Sequence, residues 1–245
     1  MPESENPYLY KRVLLKISGE MLAGDRSKGN FDSDILQSIA KDIATLANDG
    51  IEVAIVVGGG NIFRGMEANL HGIERATADY MGMLATAMNA LALQSALEYN
   101  GVESRVQSAI PMHNICEPYI RRRALRHLER GRVVIFAAGT GNPFFTTDSA
   151  AALRASEMQC EVLAKATKVD GIYDSDPKIN QNAKKLDTVS YHQALSSGLK
   201  IMDASAMAVC AENCVPIIVF SMVNPDQALS DAVKGQGSYS KVMHT

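Results

Sequence analysis

The residues best suited to chemistry are a lysine, an arginine and glycine clusters placed at the ends of apolar stretches. Lys16 lies in the apolar run 13–17, just before a serine and a glycine, and three glycines at 58–60 precede Arg64. A lysine in an apolar strand is costly to bury without a partner, so we expect Lys16 to reach an anion; an edge-strand lysine in water is the simpler alternative. Arg64 can clamp a phosphate with two donors. The chemistry indicated is the binding of phosphate groups.

A third cluster, residues 139–147, follows the apolar run 133–138. Its amides, its hydroxyl groups and the rings of Phe144 and Phe145 can hold a planar base and a phosphate together. Asp148 comes next and opens a helix. Because an acidic residue in a first helical turn is common for structural reasons alone, the role of Asp148 stays open at this point.

These clusters require a fold in which several strands end beside one another. Continuous apolar runs suit parallel strands covered on both faces, and glycines at their ends let backbone N–H groups approach an anion. Alternating strands and helices predict an α/β protein, a three-layer α/β/α sandwich around a mostly parallel sheet. The predicted strands lie near 11–17, 52–57, 103–109, 132–138, 161–166 and 216–220, and the predicted helices near 35–47, 77–99, 118–130, 147–158, 190–197, 203–213 and 225–233.

Three local features refine this prediction. Asp32 has the position of an N-cap before the first long helix. The stretch from Ala23 to Phe31 is too polar and glycine-rich for regular structure. Val242 and Met243 are expected to form a final edge strand.

Composition excludes several classes of protein. With 47% hydrophobic and 21% charged residues, a disordered chain is not expected. The net charge of −3 argues against general nucleic-acid binding, so a phosphate site must be built locally. The four cysteines form no CxxC pair and the histidines are scattered, so we expect reduced thiols, a cytosolic protein and no metal site made by side chains. No apolar run has transmembrane length, and the N-terminus lacks signal-peptide features.

Two common nucleotide motifs are absent from the sequence. GxxxxGK[ST] does not occur, which excludes a P-loop. The segment that begins Gly139-Thr-Gly141 carries Phe144 where the dinucleotide fingerprint has its third glycine, which disfavours a Rossmann dehydrogenase.

Five segments together resemble bacterial uridylate (UMP) kinase, of the amino acid kinase superfamily: KISGE, GGGNIFRG, DYMGMLATAMNAL, AGTGNPFFTTDSAA and KATKVDGIYDSDP. The resemblance runs from about Lys11 to the last strand, and GTGNPFFTTD and KATKVDG are its most specific parts. It implies the amino acid kinase fold, one domain over 1–245 and the reaction ATP + UMP → ADP + UDP in cytoplasmic pyrimidine biosynthesis. Residues 1–150 would form the acceptor half and 151–245 the ATP half.

The resemblance also implies roles for individual residues. Lys16, Arg64 and Asp148 would be catalytic, with Asp148 orienting Lys16 or the water shell of Mg²⁺, an ion bound mainly by the nucleotide phosphates. The positions that match the ATP site are Lys16, Ile17, Ser18, Gly19, Gly60, Arg64, Thr167, Tyr173 and Asp176. The positions that match the UMP site are Gly59, Asp79 (for the ribose), Thr140, Gly141, Asn142, Pro143, Phe144, Phe145, Thr146 and Thr147.

Assembly and regulation are implied in the same way. The resemblance points to a homohexamer, with UTP as an inhibitor and GTP as an activator. Arg105 and Arg132 match basic positions of the effector site, but the loop 24–31 departs from the usual G-x-x-x-F-G, so the GTP response stays open. Met81, Met83 and Met88 are expected to pack along one helix, with a subunit contact as the alternative.

Three alternative functions stay open. A kinase of amino-acid carboxylates or carbamate would share the fold, but the TGNPFFTT loop disfavours it. A non-catalytic nucleotide-binding or oxyanion-storage protein would also share it, although Lys16, Arg64 and Asp148 favour turnover. A nucleic-acid-binding regulator would use the arginine-rich helix near 121–130, a stretch more simply explained as a solvated face.

Overall fold

The computed structural model describes residues 7–24, 29–64, 72–177, 179–223 and 228–244. Within these ranges the strands are β1 (Arg12–Ile17), β2 (Glu52–Val57), β3 (Ser104–Ser108), β4 (Glu117–Pro118), β5 (Val133–Ala137), β6 (Val162–Thr167), β7 (Ile172–Tyr173), β8 (Lys185–Leu186), β9 (Thr188–Ser190), β10 (Ile217–Ser221) and β11 (Tyr239–Met243). The helices are α1 (Gly19–Ala23), α2 (Ser33–Asn48), α3 (Arg75–Tyr99), α4 (Arg121–Leu128), α5 (Thr147–Glu157), α6 (Tyr191–Ser196), α7 (Ala204–Glu212) and α8 (Ala228–Val233).

Nine strands form one sheet in the order β4-β3-β5-β2-β1-β6-β10-β11-β9. Neighbours run parallel except for the antiparallel pair of β10 and β11. Strands β7 and β8 make a separate antiparallel pair. Because β1, β2 and β6 are adjacent and parallel, their carboxyl ends meet at one edge, where such sheets bind ligands.

Helices cover both faces of this sheet, which confirms the predicted three-layer α/β/α sandwich. One core packs residues of α2, α3 and α8 against the sheet, and the other packs residues of α4, α5 and α7. Successive strand residues point to opposite faces, so Leu15 and Ile17 of β1 enter the first core and Leu14 enters the second. Lys16 therefore points to the face that α5 covers.

Most predicted elements are present with bounds within a few residues. Asp32 accepts hydrogen bonds from the N–H groups of Asp34 and Ile35 and begins α2, as predicted. The stretch expected to be irregular is partly helical, because Ala23 is the last residue of α1; residues 25–28 of that stretch lie outside the described ranges.

The prediction of an edge strand at the C-terminus was wrong. β11 lies between β10 and β9, and its Val242 is fully buried. On this side of the sheet the edge strand is β9, which has only three residues and is too short to be recognised from its pattern. In the described part of the chain, no helix is both long and apolar enough to cross a membrane.

Candidate functional site

The glycine turns after β1 and β2 pack directly against each other. A Cβ added to Gly19 would lie 2.7 Å from the carbonyl oxygen of Gly58, so the turn requires glycine. The Gly58 N–H donates to the Ile17 carbonyl at 2.8 Å, and the Asn89 side chain donates to the Gly58 carbonyl at 2.6 Å. These contacts fix the ends of the two strands relative to α3, and they place Ser18 at the N-cap position of α1.

In the triple glycine 58–60, Gly59 is required by packing against α3, whereas the sequence had indicated only phosphate binding. A Cβ on Gly59 would lie 2.8 Å from the Gly82 carbonyl of α3, which makes Gly59 a site of close backbone approach. Around Gly60 there is more room, with Glu20 as the nearest neighbour at 3.7 Å. Of Gly59 and Gly60, only Gly60 therefore has open space beside its Cα.

Lys16, Asp148 and Lys165 form a buried charge cluster at the centre of the site. The ammonium groups of Lys16 and Lys165 lie 2.8 Å from different oxygens of the Asp148 carboxylate. The two lysines are register partners on the adjacent strands β1 and β6, and Asp148 stands in the first turn of α5. Lys165 also donates to the Ile201 carbonyl at 2.5 Å. The anion that Lys16 reaches within the protein is thus Asp148.

The ionisation of this cluster follows from its burial. Burial alone would raise the pKa of the Asp148 carboxyl, but the charges of Lys16 and Lys165 outweigh it and hold this pKa below its ordinary value. Burial lowers the pKa of Lys165, and the charge of Asp148 offsets only part of that change. With all three groups charged, the cluster carries a net charge of about +1, since two ammonium groups face one carboxylate.

The segment that carries Asp148 is held from its other side by Asp203. Thr146 is the N-cap of α5, and its hydroxyl oxygen accepts from the N–H groups of Asp148 and Ser149. Both Thr146 and Ser149 donate their hydroxyl hydrogens to the Asp203 carboxylate, which also accepts the Ala206 N–H at the start of α7. This network attaches the first turn of α5 to α7.

A cavity of about 140 Å³ opens between the turn after β2, α3 and the turn before α5. Asp79 lies in its wall; its carboxylate accepts the Arg75 Nε–H at 3.0 Å and the Phe144 N–H at 2.8 Å. Asn142 donates its N–H to the Thr140 hydroxyl, which shapes the loop. Of the residues that match the UMP site, those in the wall of this acceptor cavity are Gly59, Asp79, Thr140, Phe145, Thr146 and Thr147, and Gly60 joins them.

The remaining residues of that loop, Gly141 to Phe144, do not line the acceptor cavity. Gly141 and Phe144 have φ values of 80° and 72°, in the left-handed region. Phe144 is 68% exposed, and the guanidinium of Arg75 lies 5.9 Å from the centre of its ring. The loop therefore exposes the ring of Phe144 to solvent, while the backbone N–H of Phe144 fixes the Asp79 carboxylate.

A second cavity, of about 630 Å³, has Lys165 in its wall. Thr167, Tyr173 and Asp176, which match the adenosine positions, all line it. The Tyr173 hydroxyl donates to Asp170 at 2.7 Å, and together with a hydrogen bond from Ser238 this lowers the pKa of Asp170 to about 2. A nucleoside fits a cavity of this size, which is within the usual range for ligand sites.

Glu20, Arg64 and Lys168 form a rim charge cluster near these cavities. The Arg64 guanidinium lies 2.5 Å from one oxygen of Glu20, and the Lys168 ammonium lies 3.8 Å from the other. Their side chains are between 38% and 56% exposed. Arg64, predicted to clamp phosphate, is thus oriented by a carboxylate at the surface.

The two arginines of the expected effector site share one partner. Glu103 pairs with the guanidinium groups of both Arg105 and Arg132, and the hydrogen bond from Arg132 is the main reason that the pKa of Glu103 is lowered. Arg105 lines a cavity of about 390 Å³ beside β3 and β4.

Sequence reasoning missed several residues that complete the site. Lys165 lies inside the apolar strand VLAKAT and carries the same signal that marked Lys16. Thr86 lines the acceptor cavity and accepts the N–H of Ala138, whose φ of 60° is unusual for a residue other than glycine. Asp203 and Glu20 gave no pattern, because acidic residues near helix starts are common.

The chain is similar in sequence and in fold to proteins of one known family. Residues 11–221 match the model of the amino acid kinase family, and the chain belongs to this family. A uridylate kinase of Rickettsia bellii (strain RML369-C) is 58% identical over 95% of this chain and 97% of the relative. The crystal structure of UMP kinase from Bacillus anthracis superposes with a TM-score of 0.92 at 38% identity, covering 96% of both chains.

A second solved structure is similar to the same degree. The crystal structure of UMP kinase from Ureaplasma parvum matches with a TM-score of 0.91 at 38% identity, over 95% of this chain and 98% of that one. Within the amino acid kinase family, the chain is therefore placed among the bacterial uridylate kinases.

Proposed function

We propose that this protein transfers the γ-phosphoryl group of ATP to UMP and forms ADP and UDP. The observation that carries the proposal is the buried charge cluster between two cavities. Lys165 lines the larger cavity, and Thr147, the neighbour of Asp148, lines the smaller one. The choice of UMP as acceptor rests on the similarity to uridylate kinases over almost the whole chain.

The chemistry requires alignment and charge more than a strong base. The second pKa of a phosphate monoester is about 6, so the phosphate of UMP is a competent nucleophile near neutral pH. Phosphoryl transfer is accelerated mainly by positioning and by stabilising the charge on the transferred group. Lys16 would hold that charge, Arg64 would share it, and Asp148 would keep Lys16 oriented.

Magnesium would be held chiefly by the nucleotide phosphates. In the described ranges, no three or more His, Cys, Asp or Glu side chains are grouped closely enough to hold a metal ion. Both oxygens of Asp148 face lysine ammonium groups. Bound to ATP, Mg²⁺ would neutralise part of the phosphate charge.

We assign the two halves of the chain to the two substrates, within one domain over 1–245. Residues 1–150 would bind the acceptor and residues 151–245 would bind ATP. The acceptor cavity supports this division because its wall runs from Gly59 to Thr147, whereas the wall of the larger cavity runs from Lys165 to Val219.

The proposal extends to assembly as a homohexamer. Helix α3 buries one side in the core but exposes Met81, Leu84 and Met88, which recur at helical spacing, while Met83 is buried. A second copy can cover this stripe. Six copies of the 26.4 kDa chain would give about 158 kDa by light scattering, and Leu84→Glu should lower that mass.

We also propose how the enzyme is regulated and where in the cell it acts. UTP would inhibit, and GTP would activate through the surface that carries Arg105 and Arg132; residues 25–28, part of the unusual loop, lie outside the described ranges. All four cysteines are free thiols, which agrees with a cytoplasmic enzyme of pyrimidine biosynthesis. Activity measured with and without each triphosphate tests the regulatory part.

A coupled ADP-release assay tests the main proposal. UMP, CMP, dUMP and AMP are compared as acceptors, with glutamate, aspartate and carbamate as acceptors of the alternative kinases. UMP is expected to give the highest kcat/KM. A preference for a carboxylate acceptor, or binding of ATP without turnover of any acceptor, would contradict the proposal.

A further inference from the structure

We propose that Lys165 is a positioning residue for phosphoryl transfer, which holds Asp148 and the wall of the larger cavity in one arrangement. This inference rests on the proposed function, because it concerns the same site. It assigns a role to a lysine that begins the segment KATKVDG but is not among the site residues that the resemblance implies.

The fold gives Lys165 a fixed place beside Lys16. Strands β1 and β6 are parallel neighbours in which Lys16 and Lys165 are register partners. Leu163, two residues earlier on β6, enters the same core as Leu14 of β1, so both lysines point to the face that α5 covers. The first turn of α5 then delivers Asp148 between them.

Lys165 determines the net charge of the buried charge cluster. Without Lys165, Lys16 and Asp148 would form a neutral pair, and its attraction for an incoming phosphate chain would be weak. With Lys165, the cluster is net positive, and both oxygens of Asp148 are held. Side-chain exposures of 9%, 16% and 14% mean that water screens these charges little.

Lys165 also connects the cluster to a cavity wall through its hydrogen bond to Ile201. Lys165 donates to the Ile201 carbonyl, and residues 198–201 line both the larger cavity and a further cavity of about 370 Å³. Ile201 therefore belongs to the lining of both cavities. A single ammonium group thus connects the carboxylate beside Lys16 to the wall of the ATP site.

This arrangement predicts a specific kinetic result. Loss of Lys165 should lower kcat and raise the KM for ATP, because both the net charge and the cavity wall change. The KM for UMP should stay within about 2-fold, because Asp79 and the loop 140–147 do not contact Lys165 in the described structure. Losing a residue that orients a functional group typically costs about 10- to 100-fold, by analogy with the groups that orient metal ligands.

The test compares Lys165→Met, which keeps the length without the charge, with Lys41→Met, a matched control at an exposed lysine of α2. Initial rates give kcat and both KM values, and thermal unfolding checks that each variant is folded. We expect kcat for Lys165→Met to fall about 10- to 100-fold, with a selective rise in the KM for ATP. A folded Lys165→Met enzyme with unchanged kcat and KM for ATP, or with equal rises in both KM values, would overturn the inference.

Lys165→Arg keeps the test decisive if the methionine variant does not fold. Arginine retains the charge, but its planar fork cannot reproduce both contacts, so a several-fold loss in kcat/KM for ATP with an unchanged KM for UMP is expected. An arginine variant identical to the wild type would overturn the inference. Failure of the wild type to phosphorylate UMP would instead refute the proposed function, so the two failures are distinguishable.

Discussion

Two clusters with the same pattern of charges, one carboxylate and two cations, lie in this site, and they differ in how the protein holds them. The buried charge cluster places Asp148 between two lysines whose side chains are 9% and 14% exposed, whereas the rim charge cluster places Glu20 between cations that are 39% and 56% exposed. The first is built on two central strands and the start of a helix. In the second, two of the three residues, Arg64 and Lys168, lie outside helices and strands.

The difference indicates a division of roles. Buried charges are screened little and are costly to rearrange, so the buried cluster is suited to stabilising charge that develops during reaction. Exposed ion pairs contribute at most about 1 kcal/mol and adjust easily, so the rim cluster is suited to attracting and guiding phosphate chains. Substitutions in the two clusters should therefore differ sharply in effect.

The largest effect is expected for Asp148→Asn. The change leaves two ammonium groups facing each other without a carboxylate, and breaking a buried ion pair in this way costs about 3–5 kcal/mol of the free energy of unfolding. Urea denaturation at pH 7 measures this loss. Asp34→Asn, at an exposed aspartate of α2, is the control.

The pH dependence of that loss has a definite sign. Because the pKa of Asp148 is lowered in the folded protein, its carboxylate contributes full stability above its ordinary pKa of about 3.9, and the contribution disappears as the pH falls through the lower, folded value. The difference in stability between wild type and Asp148→Asn should therefore narrow below about pH 4. A constant difference down to pH 3 would contradict the assigned shift.

Lys16→Ala should give the next largest effect. If Lys16 stabilises the transferred phosphoryl group, kcat falls about 10²- to 10³-fold while the KM for UMP changes far less. Steady-state kinetics with Lys41→Ala as control measure both constants. A rise in KM with an unchanged kcat would remove Lys16 from this role.

The contrast between the clusters also explains what could be predicted from the sequence. The layered fold and the strand containing Lys16 follow from local signals, namely apolar runs that end in glycine. The partner of Lys16 does not, because Asp148 and Lys165 are joined only when β1, β6 and α5 meet. Glu20 and Asp203 carry no local signal that separates them from ordinary residues at helix starts.

A third prediction extends the comparison to the acceptor cavity. Asp79→Asn removes one charge from its wall but retains an oxygen that can accept the Phe144 N–H, so the loop should keep its shape. If Asp79 binds the ribose, weaker UMP binding of about 1–3 kcal/mol is expected, a rise in KM of about 5- to 150-fold, with the KM for ATP unchanged. Equal losses for both nucleotides would contradict the assignment to ribose.

The smallest effect is expected for Glu20→Gln in the rim cluster. The pair with Arg64 is 2.5 Å long, but both side chains are more than a third exposed, so solvent screening limits its contribution to about 1 kcal/mol or less. We expect kcat/KM to change less than about 5-fold. The change should shrink further in high salt, because added ions screen exposed charges.

Glu98→Gln, at an exposed glutamate of α3, controls for the loss of one surface charge. If Glu20→Gln lowers kcat 100-fold independently of salt, exposure does not separate the two clusters, and Glu20 affects the rate as strongly as Lys16. If the effect is small and salt-dependent, the rate depends on the buried lysines, and the rim carboxylate only orients Arg64 before the phosphates arrive.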